Sequence, residues 1–196
     1  MTNRRQFLTV SIATSALLTS LPVDAAALLA NSSTMALGDF VFDNRFLPAS
    51  QMAENIGQRS TRTYPISGDV AELWYDELAP AIAKGPRIIG GLTTLGELFV
   101  MARLGHDAGL TLAMHGSHQL TTDELPISHT LSAPALNQRR FMTALASGTP
   151  WTSAVQSELL ALASRSVTDW FEIPDMKSND PAGQMTLHSW LLTPRA

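Results

Sequence analysis

Between residues 39 and 114 short apolar, β-favouring runs alternate with amphipathic helical stretches, and that alternation restricts the chain to few architectures. Phe40-Val41-Phe42 ends at Asp43-Asn44-Arg45 and reads as a first buried strand. Pro48 then opens a helix with Met52, Ala53 and Ile56 on one face and Gly57 at its end. Thr63-Tyr64-Pro65-Ile66 is a weaker strand, and Pro65, which has no N–H for a ladder, suits it to a sheet edge. Asp69 to Glu72 has the spacing of a capping box and predicts a helix presenting Val70, Leu73, Trp74 and Leu78, kinked or restarted by Pro80 and stopped by Lys84-Gly85-Pro86. Arg87-Ile88-Ile89 is the next strand, closed by Gly90-Gly91-Leu92-Thr93-Thr94. A second capping box, Thr94 to Glu97, opens a helix through Leu98, Met101, Ala102 and Leu104, after which Leu110 to Met114 is again a strand. Strand and helix in this order, at these spacings, predict right-handed crossovers and an α/β fold with a mostly parallel sheet covered by flanking helices.

Beyond His115 the alternation lapses, and residues 115–129 read as a polar loop. Pro134 to Ala146 and Trp151 to Ser164, with Pro150 at a first helical position, predict a C-terminal helical hairpin turning through Ser147 to Thr149. A loop over residues 176–183 leads to a final strand, Leu187 to Leu192, before Pro194. One α/β domain over residues 39–196 is the expected organisation, since a chain of about this length can bury a sizeable core.

The first thirty residues carry a different message. Arg4-Arg5 forms a basic start beside an apolar run from Phe7 to Leu21, which is shorter than the roughly twenty residues that span a hydrocarbon core. Pro22 and Asp24 interrupt it, and small residues follow at Ala25-Ala26-Ala27, an A-x-A-like cleavage pattern. Arg4, Arg5, Gln6, Phe7 and Leu8 together resemble the twin-arginine (Tat) export signal of bacteria. That resemblance implies a signal peptide over residues 1–27, cleaved after Ala25 or Ala27, with residues 28–38 as a flexible linker. It also implies recognition of Arg4 and Arg5 by the twin-arginine translocation machinery, a periplasmic location and no permanent membrane anchor. The chain has no cysteine, which suits a domain that folds in the reducing cytosol before export and removes thiol and iron–sulfur chemistry. Its net charge of −4, with 13 Lys and Arg scattered along the chain, argues against a nucleic-acid partner.

In a parallel sheet three loops would meet at the carboxyl edge, where open α/β sheets bind ligands: Asp43-Asn44-Arg45, Gly90-Gly91-Leu92-Thr93-Thr94 and His115-Gly116-Ser117-His118. Arg45, Gly90, Gly91, Thr93 and Thr94 are therefore the candidate ligand-binding residues, the glycines for close approach and the threonines beside a helix N-terminus that holds anions. His118, His115 and Asp43 are the catalytic candidates. Asp43 ends a strand as in phosphoryl-transfer folds, but Arg45 stands where a second acid would be. His115 and His118 lie three apart in an extended stretch, which does not set both rings on one face, so no metal site is assigned and the cofactor is left open. There is no G-x-S-x-G elbow and no G-x-G-x-x-G or G-x-x-x-x-G-K-[ST] loop. These features favour an exported binding or accessory protein, with a periplasmic oxidoreductase as the partner that a twin-arginine signal suggests. The alternative is a small α/β hydrolase or phosphoryl-group enzyme using the same carboxyl edge.

Overall fold

The computed structural model describes residues 36–164 and 184–195; the stretches read above as a signal peptide (1–27) and as a loop (176–183) lie outside the described residues. The described elements run β1 (Asp39–Asp43), α1 (Leu47–Gly57), β2 (Arg62–Ile66), α2 (71–83), β3 (Ile89–Thr93), α3 (Leu95–Asp107), β4 (Leu110–Thr121), β5 (Pro126–Ser132), α4 (Ala135–Ala146), α5 (Trp151–Ala163) and β6 (Gln184–Pro194). The strands form one six-stranded sheet in the order β2-β1-β3-β6-β4-β5.

The fold is α/β, but the sheet is mixed and mostly antiparallel, which corrects the expectation of a mostly parallel one. Only β1 with β2 and β1 with β3 are parallel. β6 runs antiparallel between β3 and β4, and β4 is antiparallel to β5. The physical reason lies in residues 115–129, read above as a loop. They continue β4, turn at Thr121–Leu125 and return as β5. The turn is closed by the Glu124 amide donating to the Thr121 carbonyl (2.9 Å) and the Leu125 amide to the Thr121 hydroxyl (3.1 Å), with Glu124 at φ 61°. A tight hairpin can only join antiparallel neighbours. The alternation Met114, Gly116, His118, Leu120 was present in the sequence, but its polar members hid the period of two.

Helices cover both faces. On one, Met52 and Ile56 of α1, Phe141 of α4 and Val155 and Leu159 of α5 pack with Phe40, Leu92 and Leu187. On the other, Trp74 and Leu78 of α2 and Leu98 and Met101 of α3 pack with Val41, Ile89 and Trp190. Helix α2 is continuous but contains a π turn at Trp74–Leu78, where the Ala79 amide reaches back to the Trp74 carbonyl. Pro80 has no amide to give to Asp76, and the wider turn accommodates its ring without ending the helix. The α4–α5 hairpin is held by Glu158, which is buried and accepts from Asn137 Nδ2 (2.6 Å) while pairing with Arg140 (3.3 Å). β2 lies at the sheet edge, where the missing amide of Pro65 costs no ladder bond.

Gly90 and Gly91 lie inside β3, paired to β1 and β6. Gly91 faces Trp190, whose indole crosses it and donates from Nε1 to Thr93 Oγ1 (3.0 Å). A Cβ at position 91 would overlap the indole carbons Cζ2 and Cε2. Gly91→Ala is therefore expected to destabilise the protein by about 3 kcal/mol or more, as overpacking does where a rigid ring cannot move aside. Urea unfolding measures this, and the double variant Gly91→Ala/Trp190→Leu should recover part of the loss; equal losses in the two would remove the steric explanation.

Candidate functional site

The connection leaving β1 crosses one face of the sheet through α1, and the one leaving β3 crosses the other through α3. The carboxyl ends of β1 and β3 are thus a topological switch point, where two adjacent loops part and leave a crevice. Asp43 closes β1 on the α3 side and is fully buried. It accepts from the Arg45 amide (3.1 Å) and from Arg45 Nε (2.8 Å), and Arg45 Nη2 pairs with its second oxygen. Arg45 Nη2 also donates across the crevice to Glu97 Oε1 (3.1 Å), on the first turn of α3. The other Glu97 oxygen accepts from the Thr94 hydroxyl.

Thr94 is the N-cap of α3, as the capping box predicts, but its hydroxyl bonds no backbone amide. Glu97 is turned toward Thr94 and Arg45 instead, placing its carboxylate near the positive end of the helix. The Asp43 hydrogen bond, followed by the charges of Asp43 and Glu97, holds the guanidinium firmly protonated. Arg45 remains 47% exposed, so a buried acid and a nearly buried one fix a cation whose outer edge meets solvent. Gly68, at φ 93°, lies against Nη1; a Cβ there would be 3.1 Å from it. Glu97 was the member of this group missed in the sequence, because its helix-capping reading hid its reach to Arg45.

The other candidates separate. Gly90 and Gly91 pack against neighbouring strands and do not line the crevice, correcting their reading as glycines for ligand approach. Thr93 lies fully buried beside the crevice, its hydroxyl receiving Trp190 Nε1. His115 and His118 belong to the interior of β4, not to a carboxyl-edge loop, and their side chains leave opposite faces of the sheet. His115 shares the α3 face with His188, with Nε2 of one 2.9 Å from Nδ1 of the other. Their ring planes differ by 9° and their centroids lie 5.2 Å apart, nearly the N···N distance plus one imidazole radius at each end. That places the contact along the line of centres, as an N–H···N hydrogen bond requires.

On the opposite face His118 joins Ser189 and His129. Its Nε2 lies 2.9 Å from Ser189 Oγ and its Nδ1 3.1 Å from His129 Nδ1. Trp151 covers both imidazoles, with centroid distances of 4.6 and 5.2 Å. Gly116 makes the contact possible, since a Cβ there would strike Ser189 Oγ and come within 2.9 Å of His118 Nε2. The series has the order of nucleophile, base and orienting group. However, Ser189 and His118 are fully buried, and β6 is paired on both sides, committing the surrounding amides to the ladders and leaving none for an oxyanion. Its role here is a satisfied polar chain inside the core. Among the described residues no group of three or more His, Asp or Glu is arranged to hold a metal ion.

Burial pushes His115 down to about 4, and burial followed by the neighbouring imidazoles of His129, His188 and His115 pushes His118 well below its ordinary value. His129 is lowered by burial too. The unfolded chain takes up these protons near pH 6.5, while the native chain resists them until lower pH, so folding stability is full above about 6.5 and falls as the solution is acidified. For His115 alone, the interval from 6.5 to about 4 corresponds to about 3 kcal/mol at its acid end. Urea unfolding from pH 7.5 to 4.5 should show the decline, and His115→Gln should flatten it; a profile level down to pH 4.5 would contradict the buried neutral pairs. Set beside known proteins, the chain matches no family model, no curated protein and no solved structure, so its site is read from geometry.

Proposed function

We propose that this chain is an exported α/β binding protein that takes a small polar ligand at the switch point between β1 and β3, serving as an accessory component of a periplasmic redox enzyme. The observation that carries the ligand site is Arg45, half-exposed and spanning the crevice from buried Asp43 to Glu97. A guanidinium already fixed by two carboxylates loses little freedom when a ligand arrives and presents its remaining donors in a set direction. Two acids, one cation and the positive end of α3 come close to charge balance. That balance suits a hydroxylated or zwitterionic molecule better than a phosphate. The hydrolase or phosphoryl-group alternative is the weaker reading, because His118, its acid–base candidate, faces away from Arg45 and lies beneath Trp151.

Export and partnership rest on the N-terminal resemblance and the missing cysteines. With Arg4 and Arg5 both replaced by Lys, fractionation of the bacterial host should find the precursor retained in the cytoplasm; undiminished periplasmic protein would rule out the twin-arginine route.

A thermal-shift screen of amino acids, polyols and inorganic anions tests the ligand site. A zwitterion or polyol should raise the melting temperature of the wild type and leave Arg45→Ala unmoved. Because Arg45→Ala strands the buried Asp43 carboxylate and is expected to cost about 2 kcal/mol or more, Asp43→Asn/Arg45→Met is the matched, better-folded comparison. A response retained in both variants, or one confined to phosphate, would overturn this reading.

A further inference from the structure

At the opposite, amino edge of the parallel strands a cleft of about 340 Å³ lies between the end of α2 and the start of β3, and we propose that it binds a short-chain carboxylate. Its volume is at the low end of small-molecule pockets. Ala36, Ala81, Pro86 and Ile88 give it apolar walls, and Lys84 and Arg87 give it two cations. Apolar walls with a charged rim match a ligand with one anionic end and a short hydrocarbon body.

The local charge supports the same ligand. Asp39, fully buried at the start of β1, is held by Arg62 (2.8 Å) and by Arg87 (3.2 Å). Two guanidiniums on one carboxylate leave a positive excess, to which Lys84 adds, in a chain whose net charge is −4. Lys84 makes no ion pair among the described residues. The α2 carbonyls of Ala81 and Ile82 are already satisfied by the Lys84 and Gly85 amides, which leaves the ammonium available. Arg87 donates to Asp39 from Nη1, and its side chain is 31% exposed.

An independent sign of unmet polarity lies beside this cluster. Tyr64 Oη is buried without a hydrogen-bond partner, in the combined field of Asp39, Arg62, Glu77 and Arg87. Native proteins rarely leave a buried phenol unsatisfied. Its ring lies against the Arg62 guanidinium (5.6 Å), next to these cations but not among the residues that line the cleft.

Isothermal titration of the full-length protein with sodium butyrate, at ionic strength matched with sodium chloride, tests the proposal. Saturable binding is expected, with at least tenfold weaker affinity in Lys84→Glu and in Ala36→Trp, which places a bulky ring at the cleft wall. Arg87 is left intact because it secures Asp39. The better-folded double variant Asp43→Asn/Arg45→Met, at the other edge, should bind butyrate like the wild type, so that failure here and failure at the switch point are read separately. Absence of saturable heat, equal binding by Lys84→Glu, or phosphate binding as tightly as butyrate would each overturn the proposal.

Discussion

The sheet is held together by β6. The parallel trio β2-β1-β3 and the antiparallel pair β4-β5 share no ladder, and within the sheet each is joined to the other through this strand. Its side chains alternate between two cores: Leu187, Ser189 and Leu191 face the α1, α4 and α5 side, whereas His188, Trp190 and Leu192 face α2 and α3. A slip of one residue would exchange the two sets and bury each in the wrong surroundings. Trp190 secures the register, because its ring has one clear passage across Gly91 and its indole nitrogen one acceptor at Thr93. Ser189 adds a second check on the other face, fitting between Gly116 and His118.

Much of the first half was legible in the sequence because its signals are local. Pro48, Gly57, Pro65, Pro80 and the Thr94–Glu97 spacing each act within a few residues, and the elements they mark are present. The second half depends on partners far away in the chain. His115 to Leu120 looks like a polar loop until Ser189 and His188, more than seventy residues on, provide its hydrogen-bond partners. A histidine satisfied by another histidine on a neighbouring strand leaves no pattern at the level of spacing. The same holds for Glu97, whose short-range cap geometry was readable but whose bond to Arg45 spans the crevice.

The two aspartates of β1 show how one residue type serves different purposes at the ends of a strand. Both are fully buried on the face shared with α2 and α3, and both are neutralised by arginines that keep one edge in solvent. Asp43 is matched by a near neighbour, Arg45, which ties it to the loop and to Glu97. Asp39 is matched by Arg62 and Arg87, which reach it from β2 and from the segment entering β3. The first arrangement aims a single cation across a crevice, and the second gathers cations around an apolar cleft. A buried ion pair contributes little net stability once desolvation is counted, but it fixes direction, and direction is what a recognition surface needs.

The position of β6 also sets an order of events during synthesis. It is the last of the six described strands in chain order, yet it occupies an interior place in the sheet. Until it emerges, β3 and β4 each present an unpaired ladder edge, the kind of surface that recruits strands from other chains. A nascent chain halted just short of Gln184 would therefore be two exposed half-sheets, and arrival of β6 joins them in one step, leaving only the outer edges of β2 and β5. Arrival of β6 is therefore the natural checkpoint between a sticky intermediate and the folded sheet.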